Sequence, residues 1–462
     1  MAAPALRGKR KNRMLGSSEF RRQYGVCQAY VAGSMYKGIS SGDLVVAMAR
    51  SGMMGFLGAG GMRLDRVEHE ILEIQQRLAA GQAYGVNLLA NLDQPEQEFS
   101  IVELCLAMGV PNIEASAFMR VHDSLVWYRF KGAYSGRNGE PCARQRVLAK
   151  VSQPEVAALF LNPPPESALR RLVAQGRLSA SEADIASRMP VASDICVEAD
   201  SGGHTDRGVL LVLLPAMLRL RERICRERRY AQRVNVGAAG GIGAPEAAAA
   251  AFLMGADFIV TGSINQCTVE AGTSSQVKDL LQTVEIGDTG YAPAGDMFEL
   301  GARVQVVRRG LLFPPRANEL YELYRRHASL DELEPRVSQA IQEKYFRRSF
   351  DQVWQETREY YARCNPQRLA EIEQSPKARM AAIFRWYFIH STRLALRGGE
   401  EQKADYQIQC GPAMGAFNTW VKGSRYEDWR CRHVDEIGML LLQGAEEYIH
   451  DALSRNADAV AG

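Results

Sequence analysis

No Cys-x-x-Cys pair occurs in this chain, although nine cysteines are scattered through it, at positions 27, 105, 142, 196, 225, 267, 364, 410 and 431. Without that spacing a structural zinc or an iron–sulfur cluster has no ligand set. An odd, dispersed count suits thiols kept reduced in a cytosol. Histidine is sparse too. His69, His122, His327, His390, His433 and His450 show no metal-ligand spacing, and neither His-Glu-x-x-His nor Gly-x-Ser-x-Gly is present. A net charge of one sign is also missing. The 56 Lys and Arg nearly balance the 53 Asp and Glu, leaving +3, so total charge gives no nucleic-acid footprint. No apolar window of about 18 residues appears, and no membrane span is expected. Residues 1–20 are basic but lack the apolar core of a signal peptide, so a cytoplasmic location is expected. Repeats and low-complexity tracts are absent.

What the chain does have, from residue 25, is a repeated strand-then-helix alternation. Apolar runs at 26–31, 54–57, 84–89, 112–114, 146–151, 194–198, 234–236 and 258–261 read as eight strands. Helical patterns lie between them, and residues 64–78 place Val67, Ile71, Ile74 and Leu78 on one face. Eight such units predict an α/β fold, a TIM (β/α)8 barrel. An open doubly wound sheet would need a switch-point glycine fingerprint, and none is found. The barrel is expected over residues 20–312, with a rim insertion at about 162–192 after the proline run 163–165. Residues 313–462 are expected to form a mainly helical domain that binds substrate or docks a partner. Its Arg347, Arg348, Arg358 and Arg363 offer a surface for an acidic partner.

Residues 234–266, VNVGAAGGIGAPEAAAAAFLMGADFIVTGSINQ, organise the rest. They read as strand, glycine loop, helix, strand, glycine loop. Two neighbouring glycine loops at strand ends present backbone N–H groups to one anion, the usual phosphate site after strands 7 and 8 of a barrel. The stretch holds neither Gly-x-Gly-x-x-Gly nor a Walker A loop.

The sixth strand runs into Glu198-Ala199-Asp200-Ser201-Gly202-Gly203-His204. Gly202 and Gly203 would let backbone pass close to a flat ligand. His204 would stand over it as a proton donor, a role that suits its ordinary pKa. Asn87 and Lys150, near the ends of strands three and five, are candidate polar contacts to the same ligand. A lysine at an apolar strand end needs a facing anion or carbonyl.

Gly33-Ser34-Met35, VNLL around Asn87, EADSGGHTD at 198–206, GAAGGIG at 237–243 and VTGSINQ at 260–266 together resemble the nitronate monooxygenase-like flavin barrels. QAYVAGSMYKGISSG at 28–42, AGGM at 59–62 and DYQIQCGPAMGAFNTWVKGS at 405–424 are similar to the PfaD-type, trans-acting enoyl reductases of polyketide and polyunsaturated fatty acid synthases. That resemblance implies an FMN enzyme. NADPH would reduce the flavin, which would pass hydride to the β-carbon of an α,β-unsaturated thioester on an acyl carrier protein. It implies that Gly240, Gly241, Gly262 and Ser263 hold the FMN phosphate. Gly33, Ser34, Asn87 and Lys150 would line its ribityl chain and rings, Gly202 and Gly203 would approach it, and His204 would be the active-site histidine. The competing expectations are a nitronate-type flavin oxidase and a non-catalytic synthase scaffold.

Overall fold

The strands expected from the alternation close into a parallel barrel. They are β1 (Tyr30–Ala32), β2 (Met54–Leu57), β3 (Gly85–Leu89), β4 (Asn112–Ser116), β5 (Arg146–Val151), β6 (Asp194–Glu198), β7 (Asn235–Ala239) and β8 (Ile259–Thr261). Each pairs with the next, and β8 returns to β1 with Val260 opposite Val31. This computed structural model describes residues 14–91 and 94–461. Every residue of β2 and β7 is buried, which is why β2, and β7 after Asn235, read as continuous apolar runs rather than alternating ones. Gly237 of β7 has no room for a side chain, because a Cβ there would lie 2.3 Å from the Phe258 ring.

A short helix, Ser18–Tyr24, closes the N-terminal end of the barrel. Ser17 caps it and Gly25 ends it in the left-handed conformation. The Phe20 ring stacks on Phe258 at 4.3 Å, and the Tyr24 hydroxyl donates to Asp194 at 2.6 Å. Asp194 opens β6 and accepts further hydrogen bonds from the backbone and side chain of Asn235, which opens β7. Burial raises the Asp194 carboxyl to about 6 in spite of those donors. With that end plugged, the C-terminal ends of the strands are left for chemistry.

Residues 162–192 are an excursion of two helices, Glu166–Ala174 and Ala180–Ala186. Val191 N–H returns to Asn162 C=O at 3.1 Å and Ala192 N–H to Phe160 C=O at 3.0 Å. The excursion therefore closes on its own stem and leads into the N-terminal end of β6.

The chain forms two compact units, divided elsewhere than at residue 312. One comprises the chain up to Ser201, Asp206–Gly272 and the residues from Ala416 onward; the other comprises Gly202–Thr205 and Thr273–Gly415. Residues 273–312 fall outside the barrel unit because their strands, Thr289–Pro293 and Arg303–Val307, build an antiparallel sheet with Gly203–His204. The C-terminal residues rejoin the barrel unit because the helix Val434–Ala461 buries Ile437, Leu441 and Ala445. On that helix Gly444 approaches Pro245 so closely that a Cβ would lie 2.6 Å from its ring.

In the second unit, helices Phe313–Arg326, Phe350–Cys364, Pro366–Gln374 and Pro376–Arg397 surround Phe298, Phe313, Phe346, Phe384 and Phe388. The helical character expected there is present, and prolines at the first turn set three of these starts. Of the arginines proposed for docking, Arg348 is paired with Glu356 and Arg358 with Glu373.

Candidate active site

The C-terminal ends of β1, β3, β4, β5 and β6 gather a polar cluster in an apolar barrel. Lys150 of β5 sets its Nζ 2.8 Å from Oε1 of Glu198 on β6. Burial alone would lower this lysine's pKa, and the charge and hydrogen bond of Glu198 act against that to keep it cationic. Glu114 of β4 is fully buried and accepts from the Ser34 backbone N–H at 3.0 Å and from the Ser34 hydroxyl. Asn87 of β3 donates to the Glu114 carbonyl at 3.1 Å and to Ser116 Oγ at 2.9 Å. Gly33 donates to the Thr261 carbonyl, and a side chain there would strike Val260 at 2.7 Å. Four of the expected residues, Gly33, Ser34, Asn87 and Lys150, therefore converge around one buried carboxyl group.

The glycine loops follow β7 and β8, as the sequence predicts. Gly240 and Gly241 both have left-handed backbone, φ 94° and 74°. A Cβ on Gly240 would meet the Ala199 backbone at 2.8 Å, whereas among the described residues nothing beyond the chain neighbours lies within 4 Å of one placed on Gly241 or Gly262. The loop after β7 thus rests on the end of β6 and keeps an open face. Gly262 leads directly into a single helical turn, Ser263–Gln266.

His204 is not on β6. It lies on a two-residue strand of the second unit, opposite Val304. The stem of its loop is closed by Asp200 N–H donating to the Gly208 carbonyl at 2.8 Å. The close approach made by Gly202 is to protein backbone, since a Cβ there would lie 2.7 Å from Cys410 Cα. Gly203, at φ 91°, faces the Gln409 side chain. Cys410 belongs to the 405–424 motif, and Gly415 of the same motif also packs on backbone, that of Glu285 and Ile286. His204 Nε2 lies 2.8 Å from Oδ1 of Asp296, and both side chains remain partly exposed. Burial would raise the Asp296 carboxyl, and the hydrogen bond and charge of His204 lower it further than that.

Two members of these clusters escape sequence reasoning. Glu114 sits in a short apolar strand, where an isolated carboxylate was a usable signal. Asp296 comes from the turn before Phe298 and has no local signature.

A family model for nitronate monooxygenase matches residues 22–296. The chain belongs to the nitronate monooxygenase family. A second model, for the inserted helical domain of [acyl-carrier-protein] S-malonyltransferase, matches residues 327–406 within the second unit. The crystal structure of the enoyl reductase domain of MlnA, from the macrolactin biosynthesis cluster of Bacillus amyloliquefaciens, is 41% identical with a TM-score of 0.92, and the match covers 96% of this chain and 99% of that one. Polyketide biosynthesis protein PksE of Bacillus subtilis is 51% identical over 95% of this chain and 57% of its own length. A polyunsaturated fatty acid synthase component of Thraustochytrium sp. is 40% identical over 93% of this chain and 29% of its own length. The chain thus spans just over half, or less, of these curated relatives. FabK from Thermotoga maritima shares the fold at 18% identity and a TM-score of 0.57.

Proposed function

We propose that this chain is a trans-acting enoyl reductase. It reduces the α,β double bond of enoyl thioesters carried on acyl carrier protein, with NADPH as hydride donor and FMN as resident cofactor. The observation that carries the reading is the likeness to the MlnA enoyl reductase domain, which runs through both compact units rather than the barrel alone. The matched segment of the S-malonyltransferase helical insert supports a carrier-protein partner for the second unit.

The residues present fit FMN. Gly240 and Gly241 hold left-handed backbone beside an open face, and Glu114 keeps a buried oxygen with no hydrogen-bond partner among the described residues. Backbone N–H groups of Gly240, Gly241, Gly262 and Ser263 would hold the phosphate. Gly33, Ser34, Asn87 and Lys150 would line the ribityl chain and rings. When bound, FMN supplies hydride transfer between the nicotinamide and the β-carbon. His204 holds the proton for the α-carbon, and Asp296 orients its ring and favours the cationic form.

The test is a mass measurement. Crotonyl carrier protein is incubated without oxygen with NADPH and the FMN-loaded chain. Gain of two hydrogens on the acyl group supports the reading. A colourless chain that takes up no FMN, or turnover confined to nitronates in oxygen, refutes it.

A further inference from the structure

Glu114 has no task in the enoyl reductase reading, yet it stands at the centre of the barrel-mouth cluster. Its side chain is fully buried. The two carboxyl oxygens are used unequally. Oε2 accepts from both the backbone N–H and the hydroxyl of Ser34. Oε1 is buried with no hydrogen-bond partner among the described residues. A neutral carboxylic acid has this asymmetry: its carbonyl oxygen accepts twice, and its hydroxyl oxygen carries a proton to donate. An ionised carboxylate at the same depth would leave charged lone pairs unsatisfied.

The surrounding charges point the same way. Lys150, from β5, is the cation that faces Glu114, and it already pairs with Glu198 of β6 at 2.8 Å. The Cys196 thiol of β6, opposite Lys150 in the register, is itself held neutral, burial pushing it up. From β3, Asn87 gives its amide hydrogens to the Glu114 carbonyl and to Ser116, not to the carboxyl. A second anion in this cluster has no counter-charge of its own. Burial accordingly raises the Glu114 carboxyl more than Lys150 and Ser34 lower it.

Resting on the flavin reading, we propose that Glu114 is kept as a neutral acid and donates its Oε1 hydrogen to an acceptor atom of the bound FMN. The same side chain anchors Ser34 through Oε2, so one residue positions both the β1 loop and the cofactor. Neutral acids buried as hydrogen-bond donors are an established device of enzyme sites.

The proposal has a sharp isosteric test. Glutamine reproduces a neutral acid: its oxygen takes the Ser34 donors and its NH2 donates. Leucine does neither. FMN binding to the stripped full-length chain is followed by flavin fluorescence, and the protonated-carboxyl C=O stretch is followed by infrared difference spectroscopy. Glu114→Gln is expected to bind FMN within about twofold of wild type, and Glu114→Leu about tenfold or more weaker, the cost of a buried hydrogen bond. Wild-type binding should weaken toward alkaline pH as Glu114 ionises, whereas Glu114→Gln stays flat. FMN addition should shift a protonated-carboxyl band in wild type that Glu114→Gln lacks. Loss of FMN by Glu114→Gln, or absence of that band, overturns the proposal while leaving wild-type FMN binding intact. Failure of wild type to bind FMN overturns the flavin reading and the proposal with it. If Glu114→Leu does not fold, Glu114→Gln and the infrared band still decide.

Discussion

Nε2 of His204 lies 2.8 Å from Oδ1 of Asp296, and the two residues belong to the same compact unit, some ninety positions apart in the chain. Asp296 stabilises the protonated imidazole, so Asp296→Asn should let His204 lose its proton at a lower pH. If His204 delivers the α-proton, the alkaline fall in kcat then moves to lower pH in that variant. His204→Ala should keep FMN and slow enoyl reduction by about 10²–10⁴-fold, the usual range for general acids. The pH profile checks the first and single-turnover kinetics the second. Wild-type rates in His204→Ala would hand the proton to water.

Gly241 separates backbone strain from charge. Its φ of 74° makes any side chain cost a similar backbone strain, and its open surroundings accept one without collision. Gly241→Ala should therefore keep measurable FMN binding, whereas Gly241→Asp should lose it through repulsion of the phosphate. The comparison is made by fluorescence titration. Equal affinities in the two variants would remove the phosphate from this loop.

Lys150 is mostly buried against Glu198 and close enough to Glu114 to interact with it. Lys150→Met would leave Glu198 unpaired in a partly buried site. A loss of about 2–3 kcal/mol is expected by denaturant unfolding, below the range for fully buried pairs because Glu198 retains some solvent. Lys150→Arg should recover only part of this, since the compact ammonium and the planar fork differ in shape.

Asp194 makes stability depend on pH in a stated direction. Its carboxyl is raised to about 6 in the fold, above the ordinary aspartate value of about 3.9. The fold thus favours the protonated form, and its contribution is complete below about pH 4 and lost as pH rises through about 6. Relative to wild type, Asp194→Asn should gain stability across that interval, by up to about 3 kcal/mol at 1.36 kcal/mol per unit. Parallel unfolding curves at several pH values check this. A constant difference would show that the donors from Tyr24 and Asn235 keep Asp194 at its ordinary value.

The barrel was legible because its strands are buried on both faces, so each appears as an apolar run bounded by glycine or by a helix start. The match at Arg146–Val151 and Asp194–Glu198 is residue for residue. The second unit's sheet was not legible. Gly203–His204 is a strand only because Val304 and Gln305 lie opposite it, and Thr289–Pro293 ends in a residue that strands avoid. Pairings of such separation leave no local periodicity. The same limit explains the histidine: its place near the end of β6 in sequence suggested a barrel residue, while its partners make it part of another sheet. Lys150 was recognisable as a lysine needing an anion, but the identity of that anion was not: the register sets Cys196 opposite Lys150, and the ion pair reaches on to Glu198.

On the proposed function, reduced cofactor on this chain gives its hydride to an enoyl thioester. Stopped-flow absorbance measures that most directly. The FMN-loaded chain is reduced with one equivalent of NADPH without oxygen, then mixed with crotonyl carrier protein. Rapid return of the oxidised flavin spectrum, in step with formation of the saturated thioester, is expected. A flavin that stays reduced until oxygen is admitted would contradict it.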